Sequence, residues 1–262
     1  MTFQCASIHP SLSIGEAVSA GLIAGATAHN KIGYNGDIDA STMEDIWNVG
    51  GLYTKLAAEQ QLEVLSDDNT NDKAAGTGAL TVRIGYLNTA FAAKTVDVTM
   101  NGTAAVATGA GAADILYVNS FRVLTAGTSG AAAGTVTLRR TSAGTAVSQI
   151  APGQTRGRKL YYTVPAGYAL CLDTIEIGAA GDATKDFLRF TLRANLEPTT
   201  KVATPVEYPF WEGCTCSGGR TSTFNVPFLF PAGTTVRMVV IGSATTSNCV
   251  ATASWFGKLI PV

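Results

Sequence analysis

The chain has 262 residues, of which 14% are charged, and a formal net charge of −1. That length buries an adequate core in one large β-domain or two smaller ones without metal or disulfide help. A charged fraction so far below the roughly 25% of ordinary domains leaves much uncharged surface, as in a protein partly covered by neighbouring copies, and the charge balance argues against nucleic acid as the main partner.

Residues 1–50 differ in texture from the rest of the chain. Ala17 to Ala28 is an apolar run of about a dozen residues, shorter than the roughly 20 a membrane-spanning helix needs, so no membrane span is expected. No basic residue precedes it, so it does not read as a signal peptide. The run reads as an extended or loosely coiled arm that lies on its own domain or on a neighbour. Further on, Ser41 or Thr42 is placed to cap a short helix whose first turn holds Glu44 and Asp45, with Gly50-Gly51 ending it. Asn35, Asp37 and Asp39 alternate like the front of a calcium loop, but the glycine and terminal glutamate of that motif are missing, which favours turn chemistry.

From Leu56 onward the pattern is β. Strands are expected at Gln61–Ser66, Leu80–Leu87, Lys94–Met100, Ile115–Leu124, Thr135–Arg140, Ala146–Ile150, Leu160–Val164, Ala169–Ile177 and Phe187–Leu196, then at Val226–Phe230, Thr235–Ile241 and Cys249–Ile260. Val96, Val98 and Met100 face one way, Thr95, Asp97 and Thr99 the other. The links at 74–79, 101–113 and 126–134 consist almost wholly of small residues, which makes a catalytic pocket built from them improbable. Arg139-Arg140 and Arg156-Gly157-Arg158-Lys159 read as solvated strand or loop ends. Val164-Pro165-Ala166-Gly167 and Phe230-Pro231-Ala232-Gly233 each precede a strand of similar length, which predicts two related hairpins.

Reactive groups are few. The five cysteines (5, 171, 214, 216 and 249) have no regular spacing, and Cys214-Thr215-Cys216 is too tight for a zinc knuckle. Both histidines, His9 and His29, fall in the first thirty residues, so the β-region has none for a Ser-His-Asp centre. Asp173, Glu176 and Glu207 are the carboxylates to weigh for glycoside hydrolysis, and strand carboxylates of this kind are usually solvated. No catalytic, cofactor-binding or metal-binding residue is assigned, and the expectation is a protein without enzymatic activity or cofactor. Tyr208-Pro209-Phe210-Trp211 is the one dense aromatic cluster. It suits either a sugar-stacking platform or a seam between sheets or subunits.

Taken together, the fold class expected is all-β: a β-sandwich or jelly-roll body, one large or two packed sandwiches, with an extended N-terminal arm. The divisions expected are 1–55 for the arm with its short helix, 56–155 for one β-sandwich region and 156–262 for a jelly-roll-like region. The segments Asn30 to Tyr53 and Leu116 to Thr137, the VPAG and FPAG strand entries and the closing GKLI resemble virion structural proteins of tailed bacteriophages. That resemblance implies a non-enzymatic component of the virion, assembling in symmetric copies as a capsid decoration or fibre base. Its partners would be copies of itself and other virion proteins such as the major capsid protein. The alternatives are a tail or fibre component, or a carbohydrate-binding module engaging host surface glycans through Tyr208, Phe210 or Trp211.

Overall fold

A computed structural model describes residues 14–38, 42–142, 144–180, 187–195, 206–243 and 249–262. The first described element is a six-residue helix, α1 (Ile14–Ser19), followed by strand β1 (Thr27–Ile38) and a two-residue strand β2 (Glu44–Asp45). Seven strands follow: β3 (Leu62–Ser66), β4 (Ala79–Leu87), β5 (Ala93–Thr99), β6 (Val106–Ala107), β7 (Tyr117–Ala126), β8 (Val136–Arg140) and β9 (Ala146–Ile150). The last seven are β10 (Tyr161–Thr163), β11 (Tyr168–Ala180), β12 (Leu188–Asn195), β13 (Tyr208–Thr215), β14 (Gly218–Phe230), β15 (Thr235–Gly242) and β16 (Cys249–Pro261).

The strands divide into two sandwiches. Sheets β1-β16-β11-β14 and β10-β15-β12-β13 enclose one core, centred on the fully buried Trp255, Phe190 and Phe230. Along the chain these strands cross from one sheet to the other at every connection except β12 to β13, which is the winding of a jelly roll. Sheets β6-β3-β8-β9 and β5-β4-β7 enclose a second core of Leu62, Val64, Val82, Ile84, Ile115, Leu138 and Ile150. Period-2 alternation builds it: Leu62, Val64 and Ser66 are buried on β3 while Glu63 and Leu65 between them are only partly so.

The second sandwich is inserted into a strand of the first. Val240 and Val239 of β15 pair with Glu44 and Asp45 of β2, and Arg237 to Thr235 pair with Tyr161 to Thr163 of β10. One edge strand is therefore split in two, with residues 46–160 looping out at the break. Met238 bridges the gap: its carbonyl accepts from the Ile46 amide at 3.3 Å, and its amide donates to the Leu160 carbonyl at 3.2 Å. β1 crosses close over this break. A Cβ on Gly33 would stand 2.7 Å from the Ile46 carbonyl oxygen and 2.7 Å from the Leu160 Cβ, so no larger residue fits there.

Three expectations change. The segment read as an arm contributes β1, which pairs with β16 from Thr27↔Leu259 to Ile38↔Cys249. Alternation hides this, because His29, Lys31, Gly33 and Asn35 occupy the inward positions of β1 opposite Gly257, Trp255, Ala253 and Ala251. The arm's residues 1–13 and the capping Ser41 lie outside the described residues. No helix starts at Thr42; Glu44 and Asp45 are strand residues whose carboxylates accept from the Gly51 amide at 2.8 Å and the Tyr53 amide at 2.8 Å. Finally, the two Pro-Ala-Gly turns are crossings between sheets, not hairpins. They sit side by side, with Gly167 and Gly233 at φ of 78° and 80°, and the Gly233 amide donates to the Val164 carbonyl at 2.8 Å. Each unit thus lends one strand to each sheet: β10 pairs with β15 and β11 with β14.

Candidate functional site

A jelly roll has two sides where the edges of its sheets meet. On one side β1 and the split strand β2/β10 come together, and the inserted sandwich covers them. The Asn119 side chain of β7 donates to the Thr163 carbonyl at 2.7 Å and accepts from the Thr163 amide at 2.9 Å, occupying backbone groups that edge strand β10 would otherwise leave open. Beside it Trp47, Tyr53 and Tyr161 pack edge to face, with Tyr53–Tyr161 ring centroids 4.7 Å apart.

A buried ion cluster locks the same junction. The Arg237 Nη1 lies 3.0 and 2.8 Å from the two Asp45 oxygens, while its Nε and Nη2 lie 2.9 and 2.7 Å from Glu207 Oε2. Burial pushes the Asp45 carboxyl above its usual range, against the pull of Arg237 and the Tyr53 amide. The Lys159 ammonium sits 4.0 Å above the Tyr53 ring and donates to the Val147 carbonyl at 3.1 Å. Lys159 is thus buried, not the solvated loop end its neighbours suggest, and Arg139 and Arg140 are engaged too, with Glu63 and the Lys55 carbonyl, whereas Arg156 is exposed as expected.

Next to this junction a cleft of about 500 Å³ opens between the two sandwiches. Its floor is His29 and Lys31 of β1, Lys159 and Tyr162; its wall is Tyr86 and Leu87 of β4 and Phe121 and Arg122 of β7; Arg156, Lys94 and Tyr168 stand at the remaining sides. The Lys31 ammonium donates to the Lys159 carbonyl at 2.9 Å, and its enclosure lowers its pKa to about 7. His29 packs tilted against Tyr162 with centroids 4.2 Å apart, and burial with the nearby Lys31 charge lowers its pKa to about 4. Burial and the neighbouring Lys31 charge likewise hold Lys159 well below the usual lysine range.

The opposite side, where β14 ends one sheet and β13 the other, carries no covering element among the described residues. Phe210 joins the two edges, packing edge to face on Phe228 and Phe230 at 5.9 and 5.0 Å. β14 departs from β11 between Thr223 and Phe228, so that Phe224 to Pro227 stand opposite the single residue Asp173. This bulge pushes Val226 out to 83% exposure, and Leu229, Tyr208 and Val206 are 64%, 46% and 63% exposed along the same side.

Comparison with known proteins gives no relative. No family model, no curated protein and no solved structure matches the chain.

The residues singled out in the sequence are dispersed. Asp173 pairs with Lys258 at 2.7 Å and Glu176 accepts from Ser254 at 3.2 Å, both on β11, whereas Glu207 belongs to the Arg237 cluster against the other sheet. Of the aromatic cluster, Phe210 fills the seam between sheets, Trp211 packs partly buried against the jelly-roll core and Tyr208 faces solvent. Asn35 is buried and donates to Glu44 and to the Asp45 carbonyl, while its own oxygen takes the Asp37 amide. Asp39 lies outside the described residues. Cys214 and Cys216 are exposed and free, and among the described residues no group of three or more His, Cys, Asp or Glu side chains is placed to hold a metal. No helix among the described residues is long and apolar enough to cross a membrane. The cleft and the Arg237 cluster were not read from the sequence; the one signal was a histidine and a lysine two residues apart, in step with Gly33 and Asn35.

Proposed function

We propose that this chain is a non-enzymatic subunit of a symmetric protein assembly, a virion component of the tailed-bacteriophage kind that joins its neighbours through the β13–β14 side. The observation that carries the reading is the contrast between the two sides of the jelly roll. The β1/β10 side is sealed by a whole inserted sandwich, while the β13/β14 side leaves Val206, Tyr208, Val226 and Leu229 in solvent. Apolar side chains gathered along one side of a body mark a contact surface. The occupant argued for is a second copy: a chain with 14% charged residues has little charge to steer a foreign partner, and identical edges meet in closed symmetric arrangements. The bulge at Phe224–Pro227, with its proline, blunts open-ended strand pairing and leaves side-chain contact as the mode of association. Placement as a capsid decoration or the base of a fibre is part of the same proposal.

Sedimentation equilibrium of the purified chain tests it. The wild type is expected to be a closed oligomer, and Val226→Asp with Leu229→Asp is expected to weaken association at least about a hundredfold, from desolvating two charges at the contact. Both positions are exposed, so the monomer fold should persist, as circular dichroism would verify. A wild-type chain that stays monomeric at high concentration, or a double variant that associates as the wild type does, would refute the contact.

A further inference from the structure

We propose that the cleft between the two sandwiches binds a small acidic saccharide, with its carboxylate or sulfate held by the basic side chains and its ring lying against Tyr168. Charge is segregated in this cleft. In a chain of net charge −1, five lysines and arginines line it and, among the described residues, no aspartate or glutamate does. The nearest acids belong to the inserted sandwich and are outside the lining: Asp114, bonded to Lys94, and Asp97, which pairs with Arg83 and acts on Arg122 only at longer range.

Arg122 and Arg156 point to an anion independently. They face each other across an antiparallel bridge, fixed by the Val123 amide on the Thr155 carbonyl and the Gly157 amide on the Phe121 carbonyl, both at 2.8 Å. Like charges directly opposite are unfavourable in a sheet, and no carboxylate among the described residues forms an ion pair with either. An anion between them would relieve that repulsion, and the guanidinium fork matches carboxylate and sulfate. On the β1 side of the cleft the Lys31 ammonium has, among the described residues, only the Lys159 carbonyl as a hydrogen-bond acceptor.

An inward lysine on an edge strand also serves to prevent strand pairing, which would account for Lys31 alone. It does not account for Arg122 and Arg156, which come from the other sandwich. The class of ligand follows from the remainder of the lining. About 500 Å³ suits a mono- or disaccharide, Tyr168 offers a partly exposed ring, and Thr27, Thr95 and Ser120 offer hydroxyl groups. An extended acidic peptide would need free strand-edge backbone, and the Asn119 side chain already occupies that of β10 at Thr163.

The test is isothermal titration of the full chain with digalacturonate and with galactose 6-sulfate, against galactose, inorganic phosphate and a glutamate-rich peptide. At least one of the acidic sugars is expected to bind and galactose not to. Arg122→Ala with Arg156→Ala, both exposed positions, should weaken binding about tenfold or more with an unchanged circular dichroism spectrum. Lack of binding by both acidic sugars overturns the proposal, as does binding the double variant retains in full. Phosphate or the peptide binding as well as the sugars would equally overturn it, because the ring would then contribute nothing. None of these outcomes depends on how copies of the chain associate.

Discussion

Arg237→Ala is expected to lower the unfolding free energy by about 3–5 kcal/mol, because it leaves Asp45 and Glu207 buried without their shared cation. The side chains of the two carboxylates are 3% and 10% exposed, so water has little access to replace the guanidinium. The cluster also ties three parts of the chain together. Asp45 ends the first half of the split strand, Arg237 lies in β15 beside it, and Glu207 precedes β13. Glu207→Gln should cost less, since the bidentate Asp45–Arg237 contact survives it. Chemical denaturation of the two variants measures the difference. A loss under about 1 kcal/mol for Arg237→Ala would mean that the aromatic cluster of Trp47, Tyr53 and Tyr161 holds the junction unaided.

Asp72→Ala is expected to cost about as much or more, roughly 3–6 kcal/mol, and to act within the inserted sandwich. The Asp72 carboxylate is fully buried and accepts four hydrogen bonds: from Ser66 Oγ at 2.6 Å and from the amides of Ala79, Ala133 and Gly134 at 2.7, 2.9 and 2.9 Å. Those donors come from the end of β3, the start of β4 and the link before β8. Its removal leaves three backbone N–H groups without an acceptor in the interior. Native-state hydrogen exchange should show the amides of Ala79, Ala133 and Gly134 losing protection together, while those of β11 and β16 keep theirs. Unchanged protection at all three would contradict the assignment.

Asp72 also explains a feature that reads as empty in the sequence. The links at 74–79 and 126–134 are built of small residues, and sequence reasoning finds no work for them. They are small because they fold back onto carboxylate oxygens: a Cβ on Gly78 would lie 2.2 Å from the buried Asp72 Oδ1, and one on Gly134 would lie 2.1 Å from Asp67 Oδ1. The carboxylate is far enough from its donors along the chain that no local pattern announces it. Strands with clean alternation were legible for the opposite reason. On β5 and the residue after it, Val98 and Met100 are buried and Val96 partly so, while Asp97 and Thr99 face solvent, and each position carries the side chain its environment requires.

β1 escaped notice because its inward positions serve two neighbours. Lys31 stands opposite Trp255 in the sheet yet turns its ammonium toward Lys159 and the cleft, so the apolar periodicity that marks a strand is interrupted where the inserted sandwich docks. Insertion has the same effect on the split strand. Glu44-Asp45 and Tyr161-Tyr162-Thr163 are each too short to read alone as parts of one edge, and only their shared partner β15 unites them. The Pro-Ala-Gly turns gave the correct strand entries but the wrong partners. A turn sequence fixes local backbone conformation, whereas the sheet that receives the next strand is decided by contacts distant in sequence.

Whether the chain is a repeated structural subunit of a virion is decided by its copy number in purified particles. Quantitative mass spectrometry against the major shell protein supplies that number. A fixed ratio to the shell protein, corresponding to a symmetric arrangement of many copies, is the expected result. Absence of the chain from washed particles, or a ratio that varies from one preparation to the next, would contradict the proposed role.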